Sequence, residues 1–206
     1  MTASFLALGD SYTIGEGVAD ADRWPTQLVS RLRGAGVPIA DPRIVARTGW
    51  TADELHDAIH AESLKGEFDL VTLLVGVNDQ FRGYGVERYR LSFESMIESA
   101  LSFAKLPAHL IVLSIPDWSV TPFAAGRDRP AIGREIDAFN RVGRATAAGH
   151  GARFLDITPS SRQASNNAAL LAADGLHPSA AMYSMWVNSL VPLSLDVLDR
   201  HSLEKR

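Results

Sequence analysis

Asp69-Leu70-Val71-Thr72-Leu73-Leu74-Val75 is apolar almost throughout, with no alternation of polar and apolar positions. A strand with one solvated face alternates, whereas a strand covered on both faces does not. The segment therefore reads as a central strand with helices above and below it. Residues 4–8, Ile44-Val45-Ala46, residues 110–115 and Phe154-Leu155-Asp156-Ile157 read as further short strands. Helix-period stretches separate them. Trp24-Pro25 opens the first, with proline at a tolerated first-turn position, Leu28 and Leu32 on one face, and Gly34 and Gly36 at the end. Thr51-Ala52-Asp53-Glu54 has the spacing of a capping box and starts a helix to about His60. Residues 86–106 read as a long amphipathic helix, 130–148 as another and 162–173 as a shorter one. A last helical region runs from Ser179, with Pro192 the point at which it would kink or break. Strands alternating with helices in this way build a parallel sheet. The expected fold is α/β: a three-layer α/β/α sandwich on a five-stranded parallel sheet of flavodoxin-like topology, as one domain over residues 1–206.

The 206 residues are enough to bury a full hydrophobic core. A net charge of -4, with the 20 basic residues scattered, gives no footprint for nucleic acid. Cysteine is absent, which excludes disulfides, thiolate catalysis and cysteine-ligated metals. No charged n-region or apolar h-region precedes the first strand, and no apolar stretch approaches the length of a membrane span. The expectation is a cytoplasmic protein without a signal peptide or integral membrane association. The sequence does not determine its oligomeric state. Met182, Met185 and Trp186 are expected in the core, because the last helix must cover one side of the sheet.

The chemistry lies at the two ends of the chain. Gly9-Asp10-Ser11-Tyr12 follows the first strand, and Asp174-Gly175-Leu176-His177 precedes the last helix. A serine hydroxyl needs an adjacent base to become a nucleophile, and a histidine can be that base near neutral pH. An aspartate on the imidazole Nδ1–H fixes the tautomer and stabilises the imidazolium. In open parallel sheets ligands bind beyond the carboxyl ends of the strands, and the loops holding Ser11, Gly49 and Asn78 all leave that edge.

Four blocks in register carry a resemblance to a known family. They are Gly9-Asp10-Ser11-Tyr12, the lone Gly49 in Ala46-Arg47-Thr48-Gly49-Trp50-Thr51, Gly76-Val77-Asn78-Asp79, and Asp174-Gly175-Leu176-His177-Pro178. Together they resemble the SGNH hydrolases, a branch of the GDSL lipases and esterases, and the match spans nearly the whole chain. One departure is Tyr12 in place of the eponymous leucine. The resemblance implies a serine esterase with Ser11 as nucleophile, His177 as base and Asp174 as its orienter. It also implies an oxyanion hole made of the backbone N–H groups of Ser11 and Gly49 and the side-chain amide of Asn78. No metal or organic cofactor is expected, and the partner is a small-molecule ester. Asp10 and Asp79 are read as loop-holding residues.

Substrate recognition is less legible. Trp50 and Phe81 are candidates for an apolar acyl pocket, while Trp118 and Tyr84 are expected to pack loops onto the core. Arg82 and Arg127 could recognise an acidic group, and residues 119–129 could form a mobile loop over the pocket. With no insertion large enough for a lid, short acyl esters such as acetyl esters come first. Lysophospholipid or thioester hydrolysis and acyl transfer with the same triad are alternatives. A non-catalytic carbohydrate- or lipid-binding module, or a flavin binder on the same topology, would leave the serine and histidine without a use. His56 and His60, four apart on one helix, have the spacing of metal ligands, but the glutamate of a His-Glu-x-x-His site is missing and a solvated polar face is expected.

Overall fold

The computed structural model describes residues 2–61 and 64–203. In chain order its elements are β1 (Phe5–Gly9), α1 (Ser11–Ile14), α2 (Trp24–Gly34), β2 (Arg43–Ala46), α3 (Ala52–Ala61), β3 (Leu70–Leu74) and α4 (Val77–Phe81). They continue with α5 (Val86–Leu101), β4 (Leu110–Leu113), α6 (Arg129–Gly149), β5 (Arg153–Leu155), α7 (Thr158–Ser161) and α8 (Ala180–Leu203), joined by short 3-10 turns.

All five strands are parallel, in the order β2-β1-β3-β4-β5. β1 and β3 are buried along their whole length, as their unbroken apolar runs require, and Ala7 pairs with Thr72 at the centre of the sheet. Helices α2 and α8 pack together on one face, and α3, α5 and α6 on the other. Trp24, Trp186, Tyr183 and Phe93 are the large side chains that fill the two layers between helices and sheet. Met182 is buried with them and Met185 packs against the same core. From β1 the chain moves outward to β2 and then returns past β1 to β3. The strand order reverses between β1 and β3, which opens a crevice at their carboxyl ends.

Local chemistry sets the element ends. The expected capping box is present: Glu54 N donates to Thr51 Oγ1 at 3.3 Å, and Thr51 N donates to Glu54 Oε2 at 3.0 Å. The helix expected over 86–106 stops at Leu101, because Phe103 O accepts from Phe68 N and the chain leaves the helix to bridge Ala104 with Phe68. The helix expected over 162–173 is replaced by two 3-10 turns, Arg162–Ser165 and Ala168–Leu170, which follow α7. Asn167 turns its side chain to cap Ala169 N at 3.1 Å and so competes with a continuous helix. Pro192 does not break the last helix, which runs unbroken through it. The carbonyl that proline leaves unpaired belongs to Asn188, on the exposed face, where water can satisfy it. Among the described residues no helix is long and apolar enough to cross a membrane.

Candidate active site

The turn from β1 into α1 is built on Gly9. A Cβ there would stand 2.5 Å from the Leu74 carbonyl oxygen and collide with Thr13, so only glycine lets β1, β3 and α1 meet this closely. Asp10 caps α1, its Oδ1 accepting from Tyr12 N at 3.0 Å. Ser11 is thereby fixed at the first helical position, buried, at the carboxyl end of the sheet.

The Asp174–His177 segment approaches from the far end of the chain. Asp174 Oδ1 accepts from Leu176 N at 2.9 Å and from His177 N at 3.0 Å, which folds the tetrapeptide into a tight turn. The same turn places Asp174 Oδ2 2.6 Å from His177 Nδ1 and His177 Nε2 3.0 Å from Ser11 Oγ. Partial burial pushes the Asp174 carboxyl up, but the hydrogen bonds from His177 and from the two backbone N–H groups outweigh it and hold the group below its ordinary value. It is therefore a carboxylate at neutral pH, able to hold the imidazole proton on Nδ1 and leave Nε2 as acceptor for the serine hydroxyl.

Gly49 and Asn78 face this pair. Gly49 has φ 86°, a left-handed conformation that strains any residue with a Cβ. Asn78 donates from Nδ2 to the Trp50 carbonyl at 2.9 Å, spending one amide hydrogen and leaving the other for the cleft. The backbone N–H groups of Ser11 and Gly49 meet no acceptor among the described residues. Asp79 accepts from Ala52 N at 3.0 Å and so locks the β3 loop to the start of α3. Burial raises the Asp79 carboxyl to about 6, although the Ala52 N–H opposes the shift. Burial raises Asp10 further, to about 8, against the Tyr12 N–H and with help from the Asp79 charge.

These residues bound a cleft of about 140 Å³. Ser11, His177, Gly49, Asn78 and Phe81 line it. Trp50 does not line it; its ring packs against the core, and its contribution is the carbonyl that holds Asn78. Trp118 does more than pack: it is buried, donates from Nε1 to Gln80 at 2.8 Å, and forms part of the cleft wall. Phe123 and Leu176 also line the cleft and were not singled out. An aromatic residue in a proline- and glycine-bearing loop after β4 was the only signal for Phe123. Tyr84 is outside the cleft, stacked under Arg88.

Arg82 is already engaged. It forms a bidentate pair with Glu54, at 3.0 Å on both oxygens, and donates to Gly49 O at 2.6 Å. Its work is to brace the Gly49 turn against α3. His56 and His60 do face each other, Nε2 to Nε2 at 3.2 Å, on the exposed side of α3, and no third ligand joins them among the described residues. Glu94, Glu98 and His150 also cluster, with ligand atoms within 4.8 Å of one another, on the outer face of α5. His150 Nε2 lies 2.7 Å from Glu94 Oε1.

Comparison with known proteins agrees with this architecture. The structure of TesA superposes with a TM-score of 0.74 at 22% identity, covering 95% of this chain and 99% of that one. The psychrotrophic esterase EstA from Pseudoalteromonas sp., inhibited by monoethylphosphonate, gives 0.72 at 15% identity over 96% and 99%. Axe2, an acetylxylan esterase from Geobacillus stearothermophilus, gives 0.69 at 19% over 93% and 94%. At these identities the likeness shows the fold. No curated protein matches by sequence. The family model for GDSL-like lipases and acylhydrolases matches residues 7–185, which include all four sequence blocks. The chain therefore belongs to the GDSL-like lipase/acylhydrolase family and is an ester-hydrolysing enzyme.

Proposed function

We propose that the protein is a serine carboxylesterase acting on esters of short acyl groups through an acyl-enzyme on Ser11. The observation that carries this reading is the continuous Asp174–His177–Ser11 relay, 2.6 Å and then 3.0 Å, opening onto the cleft. His177 Nε2 takes the Ser11 proton as Oγ attacks the ester carbonyl. The resulting oxyanion is held by the N–H groups of Ser11 and Gly49 and by the free amide hydrogen of Asn78. His177 then gives its proton to the departing alkoxide. Water attacks the acyl-enzyme, loses its proton to His177 and releases the acid, and the proton returns to Ser11 Oγ.

Cleft size supports a short acyl group. About 140 Å³ is close to the roughly 150 Å³ of an engineered apolar cavity that holds benzene. That is room for a few carbons next to Ser11. The acetylxylan esterase among the structural neighbours favours acetyl esters in the same sense.

The test is to treat the purified protein with a fluorophosphonate alongside Ser11→Ala and to locate the adduct by peptide mass spectrometry. An adduct on Ser11 that the variant lacks, with turnover highest for acetyl to butyryl esters, is the expected result. An unlabelled Ser11 in the folded protein would overturn the assignment. Faster capture of the acyl group by an added alcohol than by water would make the enzyme an acyltransferase.

A further inference from the structure

Beside the cleft, packed on the rings that line it, stands a cation that the proposed chemistry does not use. Arg127 lies in the segment between β4 and α6. This segment is pinned in place: Phe123 N donates to Gly175 O at 3.3 Å, Thr121 Oγ1 to Trp118 O at 2.7 Å, and Arg129 to Thr121 O at 3.0 Å. The Arg127 guanidinium sits 5.1 Å from the ring centre of Phe81, 5.4 Å from Trp118 and 5.6 Å from Phe123. All three rings line the cleft. Phe81 and Phe123 are 43% and 42% exposed, so they form an open aromatic shelf with the arginine on it.

Unlike Arg82, whose charge is paired with Glu54, Arg127 has no carboxylate within ion-pair distance among the described residues. A guanidinium stacked on rings keeps its in-plane N–H donors free for a planar anion. Thr48, also in the cleft, donates to Glu16 beside the β2 loop, where the Arg82 charge is matched by Glu54.

We propose that Arg127 recognises a carboxylate carried by the substrate itself, so that the preferred esters are anionic ones whose charged arm lies along the Phe81–Phe123 shelf. This rests on the cleft being the esterase site proposed above.

The experiment compares kcat/KM for two matched pairs in the full-length protein, Arg127→Gln and Arg127→Lys. One pair carries the charge on the alcohol arm, 4-acetoxybenzoate against 4-acetoxybenzamide. The other carries it on the acyl arm, monoethyl adipate against ethyl hexanoate. In at least one pair the wild type should favour the anion by about tenfold, chiefly through KM. Arg127→Gln should lose that preference and Arg127→Lys should keep part of it. Raising salt from about 0.02 M to about 0.3 M should shrink the preference in the wild type and not in Arg127→Gln. Ser11-dependent hydrolysis with the same anion-to-neutral ratio in wild type and Arg127→Gln, for both pairs, would overturn this inference alone. Absence of hydrolysis, with Ser11 unlabelled, would instead overturn the esterase reading on which it stands.

Discussion

Asn78 Nδ2 donates to the Trp50 carbonyl at 2.9 Å, joining the loop after β3 to the loop after β2 across the head of β1. The bond fixes the amide plane before any substrate arrives, so in the proposed oxyanion hole its second hydrogen would need no reorganisation. Asn78→Ala should lower kcat by roughly 10²–10³ with a much smaller change in KM. Steady-state kinetics on a short acyl ester checks this, and an unchanged kcat would remove Asn78 from the oxyanion hole.

Two glycines of the site should fail in different ways. At Gly9 a side chain meets backbone, the Leu74 carbonyl, at 2.5 Å, and a backbone atom in a central strand cannot step aside. Gly9→Ala should cost about 3 kcal/mol or more in folding stability. At Gly49 a Cβ finds open space, its nearest neighbour being Arg82 at 4.0 Å, so the cost is that of the left-handed backbone, about 1–2 kcal/mol. Its larger effect should be on kcat, because relaxing φ would reorient the N–H proposed as an oxyanion donor. Urea unfolding of both variants decides the matter; equal destabilisation would contradict it.

How far the sequence reached follows from the range of the interactions involved. The five strands and their parallel order rest on apolar runs such as 69–75, where burial on both faces leaves a local mark. Ser11, Gly49, Asn78, Asp174 and His177 were legible because each sits in a short block held by near neighbours, as Asp174 is by Leu176 and His177. Trp50 was misplaced because its carbonyl, not its ring, faces the site, and a residue's type says nothing about which half it presents. The pairing of Arg82 with Glu54 and the stacking of Arg127 on Phe81 join loops that are distant in sequence. Local pattern alone gave both arginines the same standing.

Asp10 should make stability fall as pH rises. Burial raises its carboxyl from 3.8 to about 8, so over that interval the folded protein keeps a proton that the unfolded chain releases. Its contribution is therefore complete below the lower value and is lost on the way to the upper one. Asp10→Asn mimics the protonated acid and retains an oxygen to accept from Tyr12 N. Relative to wild type it should gain about 2 kcal/mol or more between about pH 5 and about pH 9. Urea midpoints at the two pH values measure this, and parallel pH profiles for the two proteins would show that Asp10 is ionised in the folded state.

Asp174→Asn separates orientation from architecture. The asparagine oxygen can still accept from Leu176 N and His177 N, so the turn and the stability of the fold should survive. What changes is the group facing His177 Nδ1, now 2.6 Å from a carboxylate oxygen. An amide NH₂ there cannot accept the Nδ1 proton and favours the tautomer with hydrogen on Nε2. That hydrogen would point at Ser11 Oγ, 3.0 Å away, where a lone pair is needed to take the serine proton. The loss in kcat should be about 10⁴-fold, as when the orienting carboxylate of a serine-protease triad is amidated, with KM and the unfolding midpoint little changed. A kcat within tenfold of wild type would mean that His177 holds its tautomer without Asp174, and the relay would lose its first member.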